Sequence, residues 1–159
     1  MKHSKKVIMV VTLVFLMGII SCASKIGDNL IDKGEVVKTQ KWVDDDTFRI
    51  IGIGAPMSGE TSKLVRKATA KEAAILHAQM KIVEKFFGTK IESAVGMKNF
   101  RISGIAAAKS VEGAIKGGSV HKAIFDPKNQ EAVIIYEVKV KGLKNKLTEI
   151  RAHLKKNNS

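Results

Sequence analysis

The chain has 159 residues, of which 45% are apolar and 27% charged, a size and composition that fit one globular domain and exclude a disordered or collagen-like protein. Its single cysteine, Cys22, excludes an intramolecular disulfide, a CxxC redox pair and an all-cysteine zinc site. The formal net charge of +13 favours anionic partners. The positive charge is spread along the chain without an aromatic stacking platform, so we do not expect a nucleic acid as partner.

The N-terminus has the order of a secretory signal peptide. Lysines near the start are followed by fourteen apolar or small residues at 7–20, and then by Ser21, Cys22 and Ala23. A membrane-spanning helix needs roughly 20 apolar residues, so this run is too short to remain as a span. We therefore predict that residues 1–21 are a leader that is removed on export. Loss of its three lysines leaves 25 basic and 15 acidic residues, a net charge of +10.

The segment Ile19-Ile20-Ser21-Cys22 resembles the bacterial lipobox, although leucine is usual where Ile19 stands. In that motif the cysteine is obligatory because its thiolate accepts a diacylglycerol, and the residue before it must be small. The resemblance implies that Cys22 is lipidated and that several acyl chains hold the protein on a membrane. Ala23, rather than aspartate, after the cysteine resembles an outer-membrane destination. The alternative is a buried cysteine at the end of an uncleaved signal anchor.

Residues 22–46 are predicted to be the lipidated N-terminus and a flexible tether, because residues 24–46 are polar and lack a clear period. The folded domain is predicted to span residues 47–142. Its first strand begins at Thr47 and carries Phe48, Ile50, Ile51 and Ile53 before a segment rich in glycine and proline.

Residues 58–87 are predicted to form one long helix, with Ser58 as N-cap, Glu60 at the positive end of the dipole and Gly88 at the C-terminal end. Spacing at 100° per residue places one broad apolar sector toward a sheet. That sector contains Val65, Ala68, Ala73, Ile75, Leu76, Met80, Val83, Phe86 and Phe87.

The opposite side of this helix is predicted to be a solvated basic face and a possible contact for anions. It carries the lysines Lys63, Lys67, Lys71, Lys81 and Lys85. Ala70, Ala74 and Ala78 are interleaved with them at a spacing of four. This row either reflects the high helix propensity of alanine or admits a second helix at close range, as in a homo-oligomer.

The remaining segments are predicted in chain order as a strand at 90–95, a short helix at 104–109, a hairpin of strands at 111–125 and 132–140, and an amphipathic helix at 143–154 within a C-terminal segment 143–159. The layout predicts an α+β fold. One long amphipathic helix packs across a small, mainly antiparallel sheet, and a short helix ends the chain.

Residue patterns that resemble catalytic or binding motifs lack essential members. The loop from Gly54 to Thr61 has P-loop glycine spacing, but Glu60 stands where the phosphate-binding lysine belongs. The histidines His77, His121 and His153 share no metal-ligand spacing. Glu72 and Gln79 fall inside the apolar sector, where Glu72 is a candidate for a perturbed acid but has no second carboxylate as partner. We expect no enzymatic activity, no metal and no cofactor.

The lipobox, the strand IIGIGAP, the helix KATAKEAAILHAQMKIVEKFFG, the segment IESAV and the strand VIIYEVKV together resemble the LPP-twenty family of bacterial lipoproteins. The resemblance covers residues 48–141. It implies an α+β domain without catalytic residues and a structural or assembly role in the cell envelope. Members of that family occur at the outer membrane and in flagellar assembly, so envelope proteins or further copies of the chain are the expected partners.

Overall fold

The computed structural model describes residues 29–32, 35–38, 40–102 and 105–157. The strands are β1 (Asn29–Asp32), β2 (Glu35–Lys38), β3 (Gln40–Trp42), β4 (Thr47–Gly54), β5 (Ser119–Asp126) and β6 (Glu131–Lys139). The helices are α1 (Lys63–Phe87), α2 (Ala94–Asn99), α3 (Ala106–Lys116) and α4 (Leu143–Asn157).

Strands β3 to β6 form one antiparallel sheet in the order β3-β4-β6-β5, and β1 pairs with β2 in a separate hairpin. Helix α1 packs across one face of the four-stranded sheet. The α+β class, with a long helix on an antiparallel sheet and a short C-terminal helix, is confirmed.

Both faces of the central strands are apolar. On the face toward α1, Phe48 and Ile50 of β4 are paired with Val138 and Tyr136 of β6, and all four side chains are buried. On the other face, the buried side chains include those of Ile51, Val133 and Ile135. Near one end of that face, Arg49 Nε donates to Glu137 Oε2 at 2.7 Å across the two strands.

The alanine row of α1 faces the sheet, which corrects its predicted place on the solvated side. Ala70, Ala74 and Ala78 are each fully buried, and they lie over the glycines of β4. A Cβ atom on Gly52 or Gly54 would overlap the backbone of Ala74. The backbones of the helix and the strand therefore lie unusually close to each other, because neither element has a large side chain where they cross. Propensity alone does not explain the row.

The predicted apolar sector is correct from Ile75 onward, where Ile75, Leu76 and Met80 pack against the core, and wrong at the start of α1. Val83 and Phe86 are buried, whereas Val65 and Ala68 are exposed. The buried row instead follows a spacing of four residues, which advances by about 40° around the axis at each step. Its members are Ala70, Ala74, Ala78, Ile82 and Phe86.

Helix α1 begins later than predicted and ends where predicted. Ser62, not Ser58, is the N-cap, and its hydroxyl accepts a hydrogen bond from Val65 N. Glu60 precedes the helix, and its carboxylate accepts from Ser62 N at 2.8 Å. Gly88 ends the helix with φ of 70°, the left-handed conformation that glycine adopts without steric cost, as predicted.

The segment between α1 and β5 is helical where two strands were predicted. Ser93 caps α2, so residues 94–95 begin a helix and the strand at 90–95 is wrong. Helix α3 continues past the predicted residue 109 to Lys116, because Ala107, Ala108, Val111 and Ile115 bury one face at helical spacing. The predicted hairpin is confirmed, with its first strand beginning only at Ser119.

The folded unit also begins earlier than Thr47, which corrects part of the predicted tether. Strand β3 pairs with β4, and Trp42 stacks on Phe86 with ring centroids 5.9 Å apart. The acidic run that follows is equally tied down. Asp46 Oδ1 accepts from Gly142 N at 2.7 Å, and Asp45 O accepts from Lys144 N at the start of α4.

Helix α4 covers the predicted terminal helix and extends to Asn157. Its apolar residues Leu143, Leu147 and Ile150 are buried in the same core as Phe48 and Phe86. This helix therefore belongs to the domain that precedes it, and the sheet, α1 and α4 share one hydrophobic core.

Candidate functional site

The predicted leader at 1–21 and the lipidation residue Cys22 lie outside the described residues, as do residues 158–159 of the predicted tail. Within the described ranges, no helix combines the length and the apolarity needed to cross a bilayer. The groups that the structure does place are therefore the lysines of α1, the histidines and the polar side chains around α3.

The predicted lysines lie beside the alanine row, as predicted, but that row is buried against the sheet. Lys63, Lys67 and Lys71 each precede a member of the row Arg66, Ala70 and Ala74 by three residues, so the two rows are neighbours on the helix surface. Lys67 extends toward β5, where its Nζ lies 5.6 Å from the centre of the Phe125 ring. Four of the five predicted lysines are exposed, and Lys81 is half-buried.

The five lysines do not form one site. At 1.5 Å per residue, Lys63 and Lys85 are separated by about 33 Å along α1. Within that length, Lys71 and Lys81 are about 15 Å apart. The N-terminal group of Lys63, Lys67 and Lys71 is therefore the only part of the predicted basic face in which three of these lysines are close neighbours.

An open groove of 370 Å³ lies beside this N-terminal group, between the start of α1 and the turn that joins β5 to β6. Lys63 and Arg66 supply its positive charge, and Phe125 and Pro127 supply apolar surface. Arg66 was not among the basic residues predicted for this face of the helix, which were all lysines. Arg66 lies one turn before Ala70 and so extends the row of residues spaced by four, and this position is the sequence signal that could have identified it.

The P-loop-like segment is not arranged to hold a phosphate. The Glu60 carboxylate itself occupies the approach to α1, since it accepts the hydrogen bond from Ser62 N. Met57 N donates to Thr69 Oγ1 at 3.2 Å, which fastens the loop onto the side of the helix. The Glu60 carboxylate, held at this position, repels phosphate, as expected from its place in the motif.

The three histidines lie on three different elements of the fold. His77 lies half-buried on α1, with Nδ1 at 2.9 Å from Ile53 O and 3.1 Å from Ile53 N of the neighbouring strand. His121 is exposed on β5 and His153 is half-buried on α4. Among residues 29–32, 35–38, 40–102 and 105–157, no three histidine, cysteine, aspartate or glutamate side chains are grouped so as to hold a metal ion.

Gln79 is a structural residue. Glu72 is exposed and does not lie in the apolar sector where it was predicted. Gln79 Nε2 donates to Tyr136 Oη and to Lys116 O, each at 3.1 Å. The Tyr136 hydroxyl donates in turn to Ile115 O. Burial raises the pKa of Tyr136 above 10.0, although the hydrogen bond from Gln79 acts in the opposite direction. This network joins α1, α3 and β6.

Glu112 is a half-buried carboxylate that was not predicted from the sequence. Its oxygens accept from Lys116 Nζ, Arg101 Nη1 and Ile102 N at 3.0 to 3.1 Å. Desolvation raises its pKa, but these donors outweigh that effect and leave the pKa below 4.5. Lys116 also donates to Phe100 O at 2.6 Å. Phe100, Arg101 and Ile102 belong to the segment before α3, whereas Glu112 and Lys116 lie on α3, so the cluster fastens that segment to the helix.

Comparisons of the chain with protein-family models, curated proteins and solved structures find no match. The resemblance to the LPP-twenty family therefore stays a prediction from the sequence.

Proposed function

We propose that this chain is a lipid-anchored, non-enzymatic lipoprotein of the bacterial cell envelope with a structural or assembly role. The observation that carries the proposal is the N-terminal order of lysines, a fourteen-residue apolar run and Ser21-Cys22. The resemblance to the LPP-twenty family supports the same function, and it favours the outer membrane and flagellar assembly as the setting.

The anchor is tested by partition between detergent and aqueous phases after lysis of cells that express the full chain. We expect the wild-type protein in the detergent phase and in the envelope fraction. Ser21→Ala is the matched control, because it keeps a small residue before the cysteine and leaves partition unchanged. Cys22→Ala removes the acyl acceptor, so it abolishes processing and acylation. Equal acylation of the Cys22→Ala and wild-type proteins refutes the anchor.

The assembly role is tested on the acylated protein. Crosslinking in intact envelopes, followed by mass measurement, is expected to give a defined multimer or a complex with one envelope protein. A protein that stays monomeric at every crosslinker concentration contradicts an assembly role, even when it is lipidated.

A second candidate function is a module that binds anionic glycolipid or wall polymer through the basic side of α1. The exposure of Lys63, Lys67, Lys71 and Lys85 favours it. Replacement of Lys67, Lys71, Lys81 and Lys85 by glutamine is then expected to weaken binding to such a polymer, and added salt is expected to weaken it as well. Binding that is insensitive to both changes excludes this candidate.

A further inference from the structure

The groove of 370 Å³ between the start of α1 and the β5–β6 turn has a mixed lining. It combines two cations, two uncharged polar side chains and two apolar side chains. In that order they are Lys63 and Arg66, Thr61 and Gln130, and Phe125 and Pro127. We call these six residues the turn groove. Apolar walls with a few polar groups that fix orientation are the usual composition of a small-molecule site.

The two cations of the turn groove are not neutralised by its walls. In the part of the chain that the structure describes, neither of them forms an ion pair. Phe125 pairs with the buried Ala132, so strand alternation places the next pair, Asp126 and Glu131, on the opposite face of the sheet. The carboxylate of Glu60 is held at the N-cap of α1. The lining therefore attracts an anion.

Gln130 occupies a backbone conformation that favours glycine. Its φ is 56°, and it is the one non-glycine residue with a positive φ among those the structure describes. Glycine adopts this conformation without steric cost, whereas a residue with a Cβ atom is strained. The turn thus keeps a strained residue at the position from which a side-chain amide lines the groove. A binding role for that amide accounts for the strain.

We propose that the turn groove binds one phosphorylated sugar unit of an envelope glycolipid or wall polymer. Lys63 and Arg66 bind the phosphate, to which a guanidinium can donate two hydrogen bonds. The Thr61 hydroxyl and the Gln130 amide bind the sugar hydroxyls, since both groups donate and accept hydrogen bonds. The two apolar side chains contact the C–H groups of the ring. This inference deepens the second candidate function and rests on it.

The size of the turn groove fits a single sugar unit. Small-molecule sites occupy about 300–1,000 Å³, and this groove lies near the lower limit. It is open to solvent, so the rest of a glycolipid or polymer continues outside the protein. The groove thus recognises one unit of a larger ligand.

Binding of glucose 1-phosphate to the full chain in a nonionic detergent tests the proposal. The ligand is water-soluble, so the result depends neither on an apolar leader nor on a lipid on Cys22, and a failure of the anchor is scored separately. An NMR titration gives the dissociation constants. We expect glucose 1-phosphate to bind about tenfold more tightly than inorganic phosphate, because the sugar adds hydrogen bonds. Equal binding of the two reduces the site to charge attraction and overturns the proposal.

Variants locate the site. Arg66→Gln is expected to weaken binding about tenfold, because a charge-assisted hydrogen bond is lost. Gln130→Gly is expected to weaken it about fivefold without lowering the denaturation midpoint, since glycine relieves the strain. Lys109→Gln is the matched control, because it removes one exposed positive charge from α3 and leaves binding unchanged. Unchanged binding in either groove variant, or equal weakening by Arg66→Gln and Lys109→Gln, overturns the proposal.

Two further comparisons separate the turn groove from the second candidate function and identify the source of the sugar. If the four-lysine replacement weakens binding and Arg66→Gln does not, the basic side of α1 binds the anion and the groove does not. Displacement of glucose 1-phosphate by lipopolysaccharide assigns the unit to a glycolipid, and displacement by teichoic acid assigns it to a wall polymer. Displacement by neither overturns the proposal.

Discussion

Gly52 and Gly54 set the distance between the sheet and α1. Each glycine lies under the alanine row, and the atoms nearest to an added Cβ include the backbone oxygens of Ala74 and Ala70. Backbone atoms inside a 25-residue helix cannot move aside as a flexible side chain can. The glycines and the alanines are therefore one packing unit, although they lie in different elements.

Gly54→Ala is expected to destabilise the domain by about 1–3 kcal/mol, because the methyl group forces α1 away from β4. Gly113→Ala is the matched control. Gly113 lies within α3 with open space at the Cβ position, so alanine is expected to stabilise that helix by up to about 1 kcal/mol. Urea denaturation measures both values. A Gly54→Ala protein as stable as the wild type shows that the close approach is not part of the fold.

Tyr136 makes stability depend on pH in the alkaline range. Its pKa is raised by burial, so the folded state holds the phenolic proton more tightly than the unfolded state does. The resulting stabilisation is fully present below about pH 10, the pKa of an exposed tyrosine, and is lost as the pH rises through the higher folded-state pKa.

Tyr136→Phe is expected to lose about 1–3 kcal/mol at neutral pH, because Ile115 O is left without its donor. The difference from the wild type is expected to shrink as the pH rises above 10, since only the wild type then loses the stabilisation of the neutral phenol. Denaturation midpoints at several pH values measure this. Effects of pH on groups other than Tyr136 are common to both proteins and cancel in the comparison. A difference that is constant from pH 7 to 11 contradicts the assigned burial of the hydroxyl.

At the scale of elements, the predictable parts are those with a strong pattern or a clear end signal. Strand β4, the β5–β6 hairpin, α4 and the end of α1 at Gly88 follow from the sequence. The segment from α2 to α3 does not, because a weak alternation in 90–95 is overridden by the Ser93 cap and by the helical spacing of buried residues in α3. Strand β3 was not predicted because its residues are mostly polar, and Trp42 is the one among them that packs against the core.

Trp42 provides the test of whether β3 belongs to the folded domain. It is the single tryptophan, and it contacts Phe48 edge-on, stacks on Phe86 and lies under Lys144 Nζ at 5.2 Å. Its fluorescence is expected to change in the same denaturation transition as the circular dichroism of the helices. Trp42→Ala is expected to cost about 2–4 kcal/mol, somewhat less than a fully buried aromatic residue, and Trp42→Phe less again. A tether at this position instead predicts unchanged fluorescence and no loss of stability.

At the scale of the whole molecule, the chain combines a predicted lipid anchor with one α+β domain that carries positive charge at the start of its longest helix. The exposed lysines were found from the sequence because charged residues repeat at a visible spacing. Their division into two groups and the contribution of Arg66 were not, because each depends on how far apart the residues lie along α1 and on which turn lies beside it.

The intact mass of the protein from detergent-extracted envelopes tests the central claim most directly, since the predicted lipid on Cys22 underlies both the proposed function and the proposed membrane setting. The wild-type protein is expected to lack residues 1–21 and to carry acyl mass on Cys22, whereas the Cys22→Ala protein is expected to keep its leader and to carry none. A wild-type chain of full length without lipid contradicts the account.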